Sequence, residues 1–122
     1  KYFQHMIHPF RKLIDQNINI ALGTDSLASN DSLSILDEMK FLFLHYVISP
    51  KNLLAMATLN GAKALGLESK VGQIKEGFEA DLCGIWLPDA YPKDVYDQFL
   101  DDASENIFTM VSGVMCYQAS SH

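Results

Sequence analysis

The sequence has few cysteines and no excess of basic residues. Its two cysteines, Cys83 and Cys116, lie far apart among the 122 residues and form no CxxC or His/Cys cluster. This excludes a zinc knuckle and argues against a disulfide framework. With 15 acidic against 9 basic residues and a net charge of −6, the chain lacks the electrostatic footprint of a nucleic-acid-binding protein. We therefore expect no nucleic-acid partner.

Long apolar runs are also absent. No window of the sequence holds the roughly 18 consecutive apolar residues that identify a membrane-spanning helix. Residues 1–20 mix charged and apolar positions too often for a signal peptide. We therefore expect a cytoplasmic protein with no membrane partner. Because 48% of the residues are hydrophobic, the chain has enough apolar side chains for one compact domain.

The first six residues differ in character from the rest. Residues 1–6 (KYFQHM) resemble the end of a protease-recognition tag followed by a cloning-site His-Met. We leave them out of the fold prediction and expect the native sequence to begin near Ile7. On this interpretation the chain is a piece of a longer protein.

A predicted helix and strand lead to the most informative loop. The apolar spacing of residues 8–17 predicts a short amphipathic helix, and the run INIAL at 18–22 predicts a buried strand closed by Gly23. Helix followed by strand is the half-unit of a parallel α/β sheet, in which functional residues lie just past the carboxyl end of the strand. Residues 24–26 (Thr-Asp-Ser) occupy that place.

The remaining pattern predicts helices first and β-strands later. Helix periodicity, N-capping residues and turn residues carry these predictions. The first predicted elements are a helix over 32–47 capped by Asp31 or Ser32, a helix from Pro50 through Ala57 capped by Ser49, and a short helix over 62–65 ended by Gly66. They are followed by strands over 71–74 and 80–87, a helix over 91–103, and a hairpin of 107–111 with 114–117.

Asp25 is the residue whose position invites a chemical role. A carboxylate at the end of a strand can bind a divalent metal or accept a proton from metal-bound water. The alternative is an ordinary turn in which Asp25 caps backbone amides beside Thr24 and Ser26. Residues 23–26 (Gly-Thr-Asp-Ser) alone favour that alternative, because a catalytic carboxylate needs further functional groups around it.

Such groups are scarce in this sequence. A catalytic zinc site takes three protein ligands, and no two histidines are spaced as His-x-His or at i, i+4. We therefore expect no metal site from this chain alone. His45 is predicted to be a buried core histidine, and Cys83 and Cys116 are predicted to be buried and inert. The four histidines are His5, His8, His45 and His122.

Three segments in order carry a family resemblance. Residues 20–26 (IALGTDS), 53–67 (LLAMATLNGAKALGL) and 71–82 (VGQIKEGFEADL) resemble the C-terminal third of the amidohydrolase superfamily. The resemblance is greatest to the cytosine, adenosylhomocysteine, aminofutalosine and chlorohydrolase-type deaminases, and it spans residues 8–117. The short Gly-Thr-Asp-Ser motif is weak by itself, and the three segments at these separations are specific.

The resemblance implies an α/β fold. This chain would form the C-terminal portion of a (β/α)₈ metal-dependent hydrolase barrel, with its last strand and helices over 7–67. Strands of a small β-sandwich with one helix would follow over 68–119, and 120–122 would be a tail. Asp81 would be structural, fixing a turn of the sandwich by side-chain hydrogen bonds.

The resemblance also implies the chemistry. The parent enzyme would hydrolyse an amine from an adenine-type nucleoside or related heterocycle, a small-molecule substrate, through metal-activated water. Asp25 would be the catalytic and metal-contacting aspartate of strand eight, and Ser26, Ser29 and Asn30 would line the substrate pocket. The divalent metal of the parent would be zinc, with iron or manganese as alternatives.

The family's metal-binding histidines have no counterpart in this chain. We therefore expect the chain alone to bind no metal, to be inactive, and to self-associate as a homo-oligomer through exposed barrel edges. The alternative to a fragment of a hydrolase is a non-catalytic α/β binding or scaffold module of the same superfamily. Metal content and ammonia release by the full-length protein distinguish the two hypotheses.

Overall fold

Five helices and a three-stranded sheet form the part of the chain that the structure describes. The structure is a computed structural model, and it describes residues 9–28, 32–88 and 94–120. The elements in chain order are α1 (Phe10–Asp15), α2 (Ile35–His45), α3 (Pro50–Ala57), α4 (Leu59–Ala64), β1 (Leu82–Trp86), α5 (Val95–Gln98), β2 (Glu105–Val111) and β3 (Val114–Gln118).

Serine side chains cap the two longest helices. Ser34 Oγ accepts a hydrogen bond from the Asp37 N–H at 3.2 Å, and Ser49 Oγ accepts one from the Asn52 N–H at 3.3 Å. Each bond satisfies an amide that the first helical turn leaves without a partner. The predicted cap at Ser49 is confirmed. The helix predicted over 32–47 begins three residues later, at Ile35, and ends two residues earlier, at His45. The Ser32 hydroxyl does not cap it and donates to the Asp37 carboxylate instead; Asp31 lies outside the described residues.

The hydrophobic core lies among the helices. Leu53 of α3 is completely buried, and it is surrounded by buried residues of α1, α2 and the turn after α5. Lys40 of α2 donates hydrogen bonds from Nζ to the carbonyl oxygens of Asp102 and Ser104, at 3.2 and 2.7 Å. These bonds fasten α2 to the loop that enters β2. The core residues are Phe10, Met39, Ile48, Leu53, Met56 and Leu100.

The sheet is antiparallel in the order β1-β2-β3. Ser112 and Gly113 connect β2 to β3 with φ values of 48° and 78°, the left-handed backbone that a tight two-residue hairpin turn requires. Asp81 Oδ1 accepts a hydrogen bond from the Ser112 N–H at 2.8 Å. The predicted hairpin is confirmed, and so is a structural role for Asp81, although the turn that its side chain holds is that of the hairpin and not the predicted turn near Gly77.

Two predicted strands do not form. Within the described part of the chain, residues 18–22 pair with no strand, and Asn19, Ile20 and Leu22 form hydrogen bonds to the α3–α4 region instead. Residues 71–74 bend rather than extend, because Gly72 has a φ of 90°, which an extended strand does not allow. The two predictions were wrong for different reasons: the run 18–22 has no partner strand among the described residues, because a short apolar run does not itself supply one, and the run 71–74 is bent at Gly72.

Two helix boundaries also differ from the prediction. The helix predicted over 91–103 is present only as α5, Val95–Gln98, and residues 89–93 lie outside the described part. After this helix the chain turns, and the hydroxyl of the buried Ser104 donates a hydrogen bond to the Phe99 carbonyl oxygen at 2.7 Å across that turn. The helix predicted over 62–65 begins earlier, at Leu59, and Gly66 after it has the predicted positive φ, 69°.

The predicted burial of three residues was wrong. Cys83 and Cys116 are exposed, and every residue of β3 is exposed because the described residues place no second layer over that strand. His45 is also exposed, and its ring lies 4.4 Å from the ring of Phe41 between centroids. None of the helices described is long and apolar enough to cross a membrane.

Candidate functional site

The segment that precedes Asp25 is held against α3 and α4. The Asn60 Nδ2 donates to the Ile20 carbonyl oxygen at 2.9 Å, and the Leu22 N–H donates to the Met56 carbonyl oxygen at 3.0 Å. Asn19 Nδ2 donates in turn to the Asn60 carbonyl oxygen at 2.9 Å. We call residues 19–22 the anchored segment, since these bonds fix it along one side.

Apolar packing supports the same segment. The side chains of Ile20 and Leu22 are half-buried and pack against the helical core. Before them, Asn17 takes a left-handed φ of 55°, and the Ile18 N–H donates to the Leu13 carbonyl oxygen at 3.0 Å. The end of α1 therefore passes directly into the anchored segment.

Asp25 and Ser26 follow the anchored segment at the protein surface. Both residues are exposed, whereas Thr24 before them is half-buried. The structure thus places two of the predicted site residues side by side, just after a fixed stretch of backbone. Ser29 and Asn30 lie outside the described residues.

The described residues do not form a metal site by themselves. In the ranges 9–28, 32–88 and 94–120, no three His, Cys, Asp or Glu side chains lie close enough together to hold an ion. Asp25 supplies a single carboxylate, whereas catalytic zinc sites use three protein ligands. Within the described residues, the candidate site consists of the Asp25 side chain and its neighbours, which follow the anchored segment.

Sequence reasoning missed the role of Asn60. Asn60 falls between the helix predicted to end at Ala57 and the helix predicted over 62–65, yet it lies within α4 and its side chain reaches across to the anchored segment. A long-range side-chain bond of this kind leaves no periodic signal in a sequence. The one available hint was a polar, poor helix former within an otherwise apolar stretch.

The chain shares its fold with parts of larger deaminases. An adenosine deaminase from Xanthomonas campestris with bound zinc is similar over 88% of this chain and 27% of its own, with a TM-score of 0.76 and 27% identity. E. coli guanine deaminase is similar over 91% of this chain and 30% of its own, with a TM-score of 0.72 and 25% identity.

The sequence places the chain within a single family. The profile of the amidohydrolase family matches residues 1–116, a span that includes residues 1–6, for which the sequence had suggested a foreign origin. The chain therefore belongs to the amidohydrolase family, and the resemblance described above is confirmed.

Three relatives of similar sequence carry the names of deaminases. A 5-methylthioadenosine/S-adenosylhomocysteine deaminase from Pyrococcus abyssi is 43% identical over 93 residues, covering 70% of this chain and 21% of its own length. The enzyme of the same name from Thermotoga maritima is 36% identical over 121 residues, a match that covers 91% of this chain and 29% of its own length. A 5'-deoxyadenosine deaminase from Methanosarcina barkeri is 39% identical over 99 residues, covering 75% and 22%. The chain thus spans between a fifth and three-tenths of the length of these relatives.

Proposed function

We propose that this chain is the C-terminal part of a metal-dependent amidohydrolase that releases ammonia from an adenine-type nucleoside or a related heterocycle. The observation that carries the proposal is the 43% identity to a 5-methylthioadenosine/S-adenosylhomocysteine deaminase over 93 residues. In this proposal residues 7–67 complete a (β/α)₈ barrel and residues 68–119 belong to a small β-sandwich. The similarity to two solved deaminases over about nine-tenths of the chain supports the assignment.

Asp25 is the proposed catalytic residue of this chain. Its exposed carboxylate would accept a proton at the reacting centre and return it to the departing amine, which is the work of a general acid–base. Its position after the anchored segment supports this role, because a proton-transfer group must be held within hydrogen-bond reach of its target. Ser26, Ser29 and Asn30 would line the substrate pocket beside it.

The proposal includes a divalent metal in the complete enzyme. Zinc is the first choice, with iron or manganese as alternatives, and the zinc in the Xanthomonas enzyme supports it. A metal of this kind lowers the pKa of its bound water to about 7 and so supplies a nucleophile at neutral pH. Because the described residues supply no group of three ligands, the ligands other than Asp25 would come from outside them.

The experiment compares this chain with the longer protein that contains it. Ammonia release is measured with adenosine, 5'-methylthioadenosine and S-adenosylhomocysteine as substrates, and metal content is measured on the same samples. We expect the longer protein to bind metal and release ammonia, and the 122-residue chain alone to release none. A longer protein that binds no metal and deaminates none of these compounds contradicts the proposal and favours the non-catalytic module.

A further inference from the structure

We propose that Asn60 is a positioning residue that holds the anchored segment, and through it Asp25, in place. The inference rests on the proposed function, because it concerns the residue assigned there as the proton-transfer group. It assigns a role to a side chain in a different part of the sequence, at the start of α4. Asn60 would touch neither substrate nor metal, and it would act through the backbone of residues 19–22.

The chemistry of the bond to Ile20 requires an amide or another donor at position 60. The Ile20 carbonyl oxygen can only accept, so the Asn60 Nδ2 must be the donor across the 2.9 Å contact. Ile20 and Asn60 are both half-buried, so water reaches this bond less freely than a surface bond. Removing the donor would leave a partly buried carbonyl without its partner, which costs more than the net value of an exposed bond.

Asn60 takes part in a reciprocal pair of bonds. Its side chain donates to the segment while its own carbonyl oxygen receives the Asn19 Nδ2 at 2.9 Å. The backbone bond from the Leu22 N–H to the Met56 carbonyl oxygen adds a third connection. Among the described residues, two of the three bonds that join this segment to α3 and α4 therefore involve Asn60.

The element that carries Asn60 is itself well fixed. Ala62 of α4 is buried, and the Leu67 N–H donates to its carbonyl oxygen at 2.8 Å. A Cβ added to Gly72 would come within 2.8 Å of the Ala62 Cβ, which shows how closely the following loop packs on α4. Asn60 thus projects from a closely packed helix toward a segment that has no strand partner in the described part of the chain.

The anchored segment lies close enough in sequence to influence Asp25. Only Gly23 and Thr24 separate Leu22 from Asp25, and the side chain of Thr24 is half-buried. A displacement of the backbone at residues 20–22 would therefore reach Asp25 over two intervening residues. Loosening Ile20 would shift the Asp25 carboxylate from the position it occupies in the wild type.

The test uses Asn60→Asp in the full-length protein. The new carboxylate has the shape of the amide but cannot donate to Ile20 when ionised. The matched control is Asn52→Asp, which makes the same chemical change at an exposed position of α3. Amide hydrogen exchange is measured over residues 19–26 and over the β2–β3 hairpin, together with kcat and KM for ammonia release.

We expect amide exchange over residues 19–26 to be about threefold to tenfold faster in Asn60→Asp, which is the effect of losing one hydrogen bond. The exchange rates of the β2–β3 hairpin should not change. We expect kcat to fall by about tenfold or more with KM nearly unchanged, while Asn52→Asp leaves exchange and kinetics at wild-type values. If Asn60→Asp does not fold, Asn19→Asp takes its place, because it removes the other side-chain bond to this segment. The same changes in exchange over residues 19–26 and in kcat are expected.

The outcomes separate this inference from the proposed function. Equal exchange over residues 19–26 in Asn60→Asp and wild type overturns the positioning role, whatever the activity, and so does faster exchange with an unchanged kcat. A wild-type protein that releases no ammonia refutes the proposed function and with it the assigned link to Asp25, whereas local exchange then still reports whether Asn60 anchors the segment.

Discussion

Gly84 shows how a single residue without a side chain determines the packing of the sheet. It lies in β1 opposite Phe108 of β2, next to a register shift between Gly84 and Ile85. A Cβ placed on Gly84 would overlap the Phe108 ring at Cε1 and Cδ1. The ring therefore occupies the space that any side chain at position 84 would need.

We predict that Gly84→Ala destabilises the protein by about 1–3 kcal/mol, the usual cost of overpacking. The free energy of unfolding from urea denaturation measures the effect. Gly61→Ala is the matched control, because its added Cβ meets only the Met56 carbonyl oxygen at 4.0 Å. That change should be neutral or stabilising by up to about 1 kcal/mol, since alanine is the better helix former. Equal stability of Gly84→Ala and wild type would contradict the prediction.

At the scale of single residues, the structural role of one carboxylate was predictable from the sequence, whereas burial was not. The structural role of Asp81 was expected from the resemblance, and its carboxylate does hold the Ser112 N–H. The burial of Cys83, Cys116 and His45 was predicted wrongly, because burial depends on which layers cover an element. Residue type gives only an average tendency to be buried.

The hairpin of β2 and β3 is the element whose stability depends most clearly on one distant side chain. Its turn residues, Ser112 and Gly113, both have positive φ values, and Ser112 is not a glycine. The Asp81 carboxylate and the Ala80 carbonyl oxygen both accept backbone hydrogen bonds from this turn, at 2.8 and 3.1 Å. The chain before β1 thus fastens the far end of the hairpin.

We predict that Asp81→Ala lowers the free energy of unfolding by about 1 kcal/mol, the net contribution of one hydrogen bond. Asp81→Asn keeps an acceptor oxygen in the same place and should retain most of that stability. Urea denaturation of the two variants and the wild type gives the comparison. A loss as large in Asp81→Asn as in Asp81→Ala would show that the charge, rather than the acceptor, matters.

Elements with their own start and stop signals were predictable, and elements that need a distant partner were not. Ser49-Pro50 marked the start of α3, and Ser112-Gly113 marked the hairpin turn. The apolar run 18–22 was typical of a buried strand, but it forms side-chain and backbone bonds to α3 and α4. The site was predicted only in part, because the link from Asn60 to Ile20 joins residues far apart in sequence.

At the scale of the whole molecule, the exposed apolar surface is the feature with the largest physical consequence. Phe41, Leu44 and Val47 near the end of α2 are 53%, 63% and 86% exposed. In the sheet, β1 and β3 are the two outer strands within the described residues, so each has one edge that pairs with no strand there. Apolar patches and open strand edges favour association with another surface.

We predict that the 122-residue chain alone forms homo-oligomers, so that light scattering gives a mass above 13.6 kDa. Leu44→Glu should lower the association, because it places a charge in the exposed apolar surface of α2. Leu65→Glu is the control, since Leu65 is 75% exposed at the end of α4. A monomer that unfolds cooperatively would contradict the prediction, and so would equal weakening by both variants.

Under the proposed function, Asp25 is the catalytic residue of this chain. The measurement that tests it most directly is kcat/KM for ammonia release by Asp25→Asn in the full-length protein, beside Asp15→Asn at the exposed end of α1. We predict that Asp25→Asn loses about 10²–10⁴-fold in rate while its stability changes by no more than about 0.5 kcal/mol, and that Asp15→Asn behaves as wild type. Ammonia release by Asp25→Asn at the wild-type rate would contradict the account.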